Sequence, residues 1–529
     1  MVERVDAVVI GAGHHGLVAA TMLADAGWDV LVIEERDRVG GAVASRQSDG
    51  WVEDEFSACH PLALASPVLR GLDLESHGLQ WAHAPRPLAH AGAAGAPAVT
   101  LHTEAHETAA ALEREHPGDG EAWMAMTEQW QRIRDPLLGA LLTRWPPVRD
   151  VARIVARLGL RDTPDLARLA LLPVVQLGVE SFGGQGGRQL LAGNAMHADI
   201  PPTSAGSGLF GWLMTMLAQD VGLPSPRGGT AQLAEALRRR AEAAGARIEL
   251  KTSATRVWLR GNRIHGVGTR DGRRIRVRRA VVADTSAPIL YDRLLDAGDV
   301  PAGLRRRLQR FTWDPPTVKL NYRLSQPVPW ADDAARGAAV VHAGQDMEGI
   351  VRWSGDLEAR TVPERPFALV GQMTTIDASR SPAGTEALWL YTHLPRGLED
   401  LPGGVSEITE ASERMLESLA PGFRDCVIGR WDQSPVDLEE SNANLGDGAV
   451  GGGTQQLFQQ ALWRPVTGLG GPRTHVDGLY LGSAAIHPGG GVHGGCGYLA
   501  ARAALQDARW WGLPRRKAAL AVLHHLYDV

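Results

Sequence analysis

The stretch DAVVIGAGHHGLVAATMLADAGWDVLVIEERDRVGGA, from Asp6 to Ala42, decides the fold. Ala7 to Ile10 is a short apolar run, largely β-branched, of the kind that forms a strand buried on both faces of a parallel sheet. Gly11-x-Gly13-x-x-Gly16 follows at once, and Leu17 to Ala26 then carries a helical period up to Gly27, a C-cap glycine. A second apolar run, Val30 to Ile33, ends in Glu34. Strand, glycine loop, helix and acid-ended strand in this order predict a dinucleotide-binding unit, where an isolated glycine pattern would mean little. Gly11 permits the tight turn, Gly13 lets backbone approach a pyrophosphate, and Gly16 lets helix pack on strand. The helix N-terminus offers unpaired N–H groups and a partial positive charge to the phosphates. Glu34 can accept hydrogen bonds from ribose hydroxyls and would repel a 2′-phosphate, which speaks against NADP.

The rest of the chain sets bounds. Its 529 residues are 44% hydrophobic and 22% charged, an ordinary globular balance with ample material for more than one domain. A net charge of −6 gives no electrostatic reason to expect nucleic acid. The Arg-rich run RDGRRIRVRR, Arg270 to Arg279, alternates with Ile275 and Val277 and reads as a strand with one solvated face. Three cysteines, Cys59, Cys426 and Cys496, show neither zinc-ligand spacing nor a disulfide framework, so a reducing cytoplasm fits and no metal is expected. The N-terminus enters a strand without a signal segment. LARLALLPVVQLGV, Leu166 to Val179, is too short and too broken by Arg168, Pro173 and Gln176 to span a bilayer. Peripheral membrane contact and oligomeric state stay open.

Glu35 to Gly41, ERDRVGG, extends the first unit in a way that resembles the large two-domain FAD oxidoreductases, with Gly40 and Gly41 letting the chain pass the cofactor and Arg36 or Arg38 near its phosphates. Further motifs follow in order: the PRGG turn before the Ala231–Ala244 helix, SPVDLE (Ser434 to Glu439), RPVTGLG, and HPGGGVHGG near the C-terminus. Together they resemble the phytoene-dehydrogenase-like FAD proteins over essentially the whole chain, nearest to the branch called pyridine nucleotide-disulfide oxidoreductase domain-containing protein 2. No CxxC is present, so disulfide reduction is disfavoured. The resemblance implies an α/β fold in which a Rossmann-type FAD domain is interleaved with a substrate domain of mixed sheet and helical cap. The expected segments are 1–78, 221–290 and 466–529 for the FAD domain, 79–220 for the cap and 291–465 for the substrate sheet. It also implies removal of a hydride and a proton from a small or apolar organic substrate, with oxygen, a quinone or another acceptor reoxidising the flavin.

Residue by residue, the resemblance assigns cofactor contacts to Gly11, Ala12, Gly13, His15, Gly16, Glu34, Glu35, Arg36, Gly40, Gly41 and Ala42. In the second segment it points to Val257, whose backbone would meet the adenine. In the third it points to Gly482, Ser483, Gly491, Val492 and His493, with a helix starting near Val492 aimed at the flavin and Ser483 on a ribityl or phosphate oxygen. His60, His197, His393, His487 and His493 are the candidate proton acceptors, with His487, His493 and His60 foremost, each weighed against a structural role. Cys496 reads as a small buried residue rather than a covalent flavin link. The other glycine clusters, FGGQGG (Phe182 to Gly187), RGGT (Arg227 to Thr230) and VGGGT (Val450 to Thr454), lack the strand–helix–acid context, so one dinucleotide and no NAD(P)H site is expected.

Three alternatives share the scaffold. A flavin amine oxidase would flank its flavin with aromatic residues, and this chain has six tyrosines against sixteen tryptophans. In a flavin monooxygenase an acid stands where Ser483 does in GSAAIHPGGG. A lipid carrier of the prenylated-GTPase dissociation-inhibitor type works without flavin, and the intact Gly11, Gly13, Gly16 and Glu34 argue against it.

Overall fold

The structure, a computed structural model, describes residues 3–93, 95–143, 146–398 and 402–509. The last twenty positions of the expected third cofactor segment lie outside the described residues.

The Arg4–Ile10 strand lies at the centre of a seven-stranded sheet, parallel to Val30–Ile33 on one side and to Arg274–Ala283 on the other. Arg247–Glu249 adds to the first flank and Leu479–Leu481 pairs with the second, both parallel. Ala254–Leu259 and Ile264–Thr269 continue the sheet as an antiparallel meander. Val5, Val8, Leu31, Val281 and Leu479 are all fully buried, as expected for strands covered on both faces. The helices His14–Asp25, Ala231–Ala243 and Gly495–Asp507 contribute Leu17, Leu237 and Ala500 to the hydrophobic cluster on one face of this sheet.

A second seven-stranded sheet is mainly antiparallel. Thr317–Leu324 sits between Val427–Gln433 and Glu386–His393, and the order continues through Ala368–Gln372 and Ala338–Ala343 to Arg86–Ala91 and Val99–Leu101. Helices from Ala105 to Val221 pack beside it around three buried indoles, Trp123, Trp130 and Trp212. Trp130 and Trp212 meet edge to face at 5.8 Å, and the Trp123 and Trp130 N–H groups donate to Gln219 and Asp220. The fully buried Arg380 joins distant segments by donating to Asp54 Oδ2 and Ser225 Oγ, each at 2.8 Å.

Several sequence readings shift. The two runs at Ile275–Val277 and Ala280–Ala283 are one strand, with a register irregularity opposite Val5 and Ala7. FALVGQMTTI bends after Gln372 into a helical turn, Met373–Ile376, whose Thr374 and Thr375 N–H groups bond the Glu386 carboxylate. The C-terminal helix begins at Gly495, not near Val492, because Gly494 takes a left-handed φ of 71° ahead of it. Pro173 separates the helices Val148–Leu169 and Val174–Ser181. Among the described residues no helix is long and apolar enough to cross a membrane.

Candidate active site

The N-terminal loop is built around two carboxyl groups. Glu34, at the end of its strand, accepts from Ala12 N at 2.7 Å and Arg36 N at 2.9 Å. Burial raises its pKa, and those two N–H groups only partly offset the rise. Asp284, at the end of the Arg274–Ala283 strand, accepts from Gly16 N at 2.8 Å. Burial, opposed by the Gly16 N–H and reinforced by Glu34, pushes Asp284 up to about 7. A Cβ on Gly13 would lie 2.5 Å from Asp284 Oδ2, and one on Gly16 would lie 2.2 Å from Gly11 O. The glycines therefore answer an internal packing demand as well as a ligand. Gly40 N donates to Ala12 O at 2.8 Å and ties the Gly40–Gly41 turn to this loop.

The C-terminal loop closes against the first. His14 Nε2 lies 3.3 Å from Gly491 O, and the His15 and His493 rings are 5.0 Å apart. His493 accepts from Gly495 N through Nδ1 at 2.9 Å, with Nε2 3.2 Å from Gly489 O, so backbone takes up both nitrogens. Ser483 Oγ donates to Thr285 O at 2.6 Å and accepts from Ala485 N at 3.2 Å, so its hydroxyl fixes the loop. Beside it Thr285 lines the cavity, and its buried hydroxyl has no partner among the described residues. Arg464, fully buried, spends its guanidinium on the carbonyls of Ala484, Thr454, Gly452 and Gly453. The Cys496 thiol faces the Ile486 and Gly489 carbonyls, each at 3.6 Å, and burial pushes it up to about 12, so it stays protonated. His15, His493 and Cys496 bring ligand atoms within 4.8 Å of one another, yet the His493 nitrogens and this thiol are already committed to backbone.

Both loops open on one cavity of about 1210 Å³. Gly11, Gly13, His15, Glu34, Glu35, Arg36, Gly40, Gly41, Ala42, His60, Ser483, His487, Gly491, Val492 and His493 all line it. Ala12 and Gly16 stand behind the loop, their N–H groups on Glu34 and Asp284. Two assignments need correcting. Val257 is fully buried and pairs with Val267 inside the sheet, and the wall is made instead by Thr252, Ser253, Ala254 and Thr255 where that strand begins. Gly482 continues the ladder by donating to Ala283 O at 2.8 Å. A Cβ on Gly482 would meet Val282 at 2.9 Å and Ala500 at 3.2 Å, so helix-on-strand packing demands glycine there.

The far part of the cavity is walled by Leu209, Phe210, Leu213, Met214, Leu369 and Trp389. Its sheet floor presents Lys319, directly across from Tyr391 in the neighbouring strand. Lys319 is buried and its Nζ donates to the backbone carbonyl of Asp54. Burial pulls its amine down to about 8, against the acidic groups Asp54, Glu55 and Glu53. His60, 2.5 Å from Thr230 Oγ1, is pulled by burial to about 4, and His487 reaches the same range through burial, His493 and Arg464. Both rings are thus neutral near pH 7. Lys319, Asp284, Asp199, Asp314 and Tyr391 escaped the sequence reading. A lysine at an inward position of TVKLNYRL and an acid closing the apolar run AVVAD were the available signals.

Residues 9–68 match the NAD(P)-binding Rossmann-like domain, and residues 98–505 match the family described as flavin containing amine oxidoreductase. The chain is 27% identical to the rat protein called pyridine nucleotide-disulfide oxidoreductase domain-containing protein 2, covering 95% of this chain and 94% of that one. It is 26% identical to a zeta-carotene-forming phytoene desaturase of Myxococcus xanthus, over 92% of this chain and 90% of the other. An oxidoreductase from Methanosarcina mazei shares the fold with a TM-score of 0.65 at 13% identity, over 94% of this chain and 99% of that one. With a paired-sheet α/β fold, a glycine loop closed by an acid-ended strand and a family match across most of its length, the chain belongs to the flavin-containing amine oxidoreductase family and is a flavin-dependent oxidoreductase.

Proposed function

We propose that the flavin is FAD and that the enzyme removes a hydride and a proton from a mainly apolar organic substrate. One observation carries this reading. A single cavity runs from the glycine loop and Glu34 to a chamber walled by Leu, Phe, Met and Trp side chains, and its 1210 Å³ exceeds the roughly 300–1,000 Å³ of a typical single-ligand pocket. Segments 1–78, 221–290 and 466–529 would hold the cofactor, and segments 79–220 and 291–465 the substrate.

FAD, when bound, supplies the acceptor for the hydride. The residues of the chain do the rest. Glu34 accepts from ribose hydroxyls, and the N-terminal loop receives the pyrophosphate. Gly490 and Gly491 let backbone face the ring, and His493 positions that loop through its two backbone contacts. The buried Arg464 cation under the same loop favours negative charge nearby. His60 and His487 are the neutral bases of the cavity, and Lys319 holds a proton it can release near neutral pH.

The test is direct. Purified protein is expected to be yellow and to release FAD at close to one equivalent on denaturation. Glu34→Ala should retain the fold by circular dichroism yet weaken FAD affinity at least tenfold. A colourless protein that rejects added FAD would sink the reading, and unchanged affinity in the variant would remove Glu34 from the ribose.

A further inference from the structure

The segment Leu457–Trp463 has two sides. Leu457, Gln460 and Ala461 line the cavity, whereas Phe458, Leu462 and Trp463 turn to solvent, 58%, 56% and 48% exposed. One short stretch of chain thus separates the chamber from the outside. Leu171, 63% exposed, belongs to the same rim. The carbonyls of Leu171 and Leu172 accept from Gly206 N at 3.3 Å and Gly208 N at 2.9 Å. A Cβ on Gly206 would lie 2.8 Å from the Leu457 side chain, and Ser204 Oγ donates to Gln456 Oε1 at 3.3 Å. These contacts gather both segments at the N-terminal end of the Ser207–Val221 helix, whose Leu209 and Phe210 wall the chamber. A lone exposed leucine means little. Among the described residues, however, eight of the eleven large apolar side chains that face solvent fall within 148–179 and 457–463, and such a concentration marks an interaction surface.

The charge on this face selects the partner. The Val148–Leu169 helix, broken at Gly159 where φ is 80°, carries Arg149, Arg153, Arg157, Arg161 and Arg168 against Asp150, Asp162 and Asp165, in a chain whose net charge is −6. All five arginines are exposed. Asp150 pairs with Arg153 at 3.2 Å and Asp162 with Arg132 at 3.2 Å. Glu180 holds Arg168 through two bonds of 2.7 Å, and Asp165 also acts on Arg168. Arg157 donates to the Arg132 carbonyl, and Arg149, Arg157 and Arg161 have no carboxylate partner among the described residues. Leu160, 85% exposed, stands between Arg157 and Arg161 in the chain. Near the rim, Arg310 is exposed two residues before Thr312, whose N–H donates to Gln459 Oε1 at 2.8 Å.

We propose that this face docks peripherally on an anionic phospholipid bilayer, with Phe458, Leu462 and Trp463 entering the lipid at the rim of the chamber and the Val148–Leu169 helix lying along the headgroups. Apolar side chains beside unpaired arginines suit that partner: rings and leucines enter the acyl boundary, while guanidinium groups stay with the phosphates. A second copy of the chain, docked by the same face, would set these arginines against themselves. The docking is independent of the reaction. Only its purpose, loading an apolar substrate from the bilayer, rests on the proposed function.

Co-sedimentation tests this. Flavin-loaded protein is mixed with sucrose-filled vesicles of phosphatidylcholine, alone or with about one-third phosphatidylglycerol. At low ionic strength roughly fivefold more protein should sediment with the anionic vesicles, and added salt should reverse most of the gain. The rim variant, Phe458→Ser with Leu462→Ser and Trp463→Gln, and the charge variant, Arg149→Gln with Arg161→Gln, should each lose most of that binding. Flavin content and melting temperature, measured alongside, should match the wild type, because all five sites are exposed. No binding to anionic vesicles, equal binding to neutral ones, or a rim variant that binds like the wild type would overturn the proposal. So would a dimer in analytical ultracentrifugation that the rim variant dissolves, which would give the face to a second copy. A colourless protein that still binds vesicles would sink the flavin reading and leave the docking intact, so the two fail separately.

Discussion

At the scale of single residues, Asp284 is the group whose environment departs furthest from expectation for a phosphate-binding loop. Its carboxyl fills the space that Gly13 and Gly16 leave and bonds the Gly16 N–H. Burial pushes it to about 7, far above the usual value near 4. A carboxyl raised on folding binds its proton more tightly in the folded chain. Its contribution to stability is then complete below about pH 4 and declines as pH rises toward 7, becoming flat above that. Flavin-free protein should accordingly lose stability between pH 5 and pH 7.5, on the order of a few kcal/mol from this group, read as a fall in melting temperature. Glu386, also pushed by burial to about 7, adds to the same slope. Asp284→Asn should flatten the profile only in part, and a variant with the wild-type slope in thermal melts would show that Asp284 is ionised in the fold.

At the scale of elements, the cofactor region depends on how closely two helices approach. A Cβ on Gly497 would lie 1.9 Å from His15 O, backbone that cannot swing aside. Gly497→Ala should force the helices His14–Asp25 and Gly495–Asp507 apart. Overpacking of this kind costs about 1–3 kcal/mol. Because His14 and His15 begin the first of these helices and line the cavity, the same change should weaken flavin retention. Thermal denaturation and flavin release measured together check this; a lowered melting point with full flavin affinity would mean that the helix contact is structural only.

At the scale of the whole molecule, the three remaining glycine clusters explain why a second dinucleotide is not expected. In FGGQGG, Asp119 caps the Gly183 and Gly184 N–H groups and Glu115 those of Gln185 and Gly186. In RGGT, Gly228 N donates to Asp377 and Thr230 N to Asp54. In VGGGT, the Gly451 and Gly453 N–H groups are on Asp314. In each of these three turns the N–H groups named are bonded to a carboxyl of the protein, and none of the three stands between an apolar strand and an acid-ended second strand as the Gly11–Gly16 loop does. Stopped-flow mixing with NADH or NADPH under anaerobic conditions should leave the flavin oxidised; stoichiometric bleaching would contradict this.

What the sequence determined by itself was the local machinery. Periodicity and glycine spacing within Asp6–Ala42 specify a strand, a loop, a helix and an acid-ended strand, because each depends on residues a few positions apart. The same locality made the Ile264–Thr269 strand and the Gly272 turn readable, and it brought His60 and His487 to the cavity by resemblance. Val257, Gly482 and the start of the last helix were misplaced because a one-dimensional motif does not say which face of a strand looks into a cavity or what a missing Cβ makes room for. Only the tertiary structure could assemble Asp199, Asp314, Tyr391 and His393, or set Lys319 against Asp54. Buried polar groups are stable only where partners from distant segments meet them, so their meaning lies in the packing and not in the spacing.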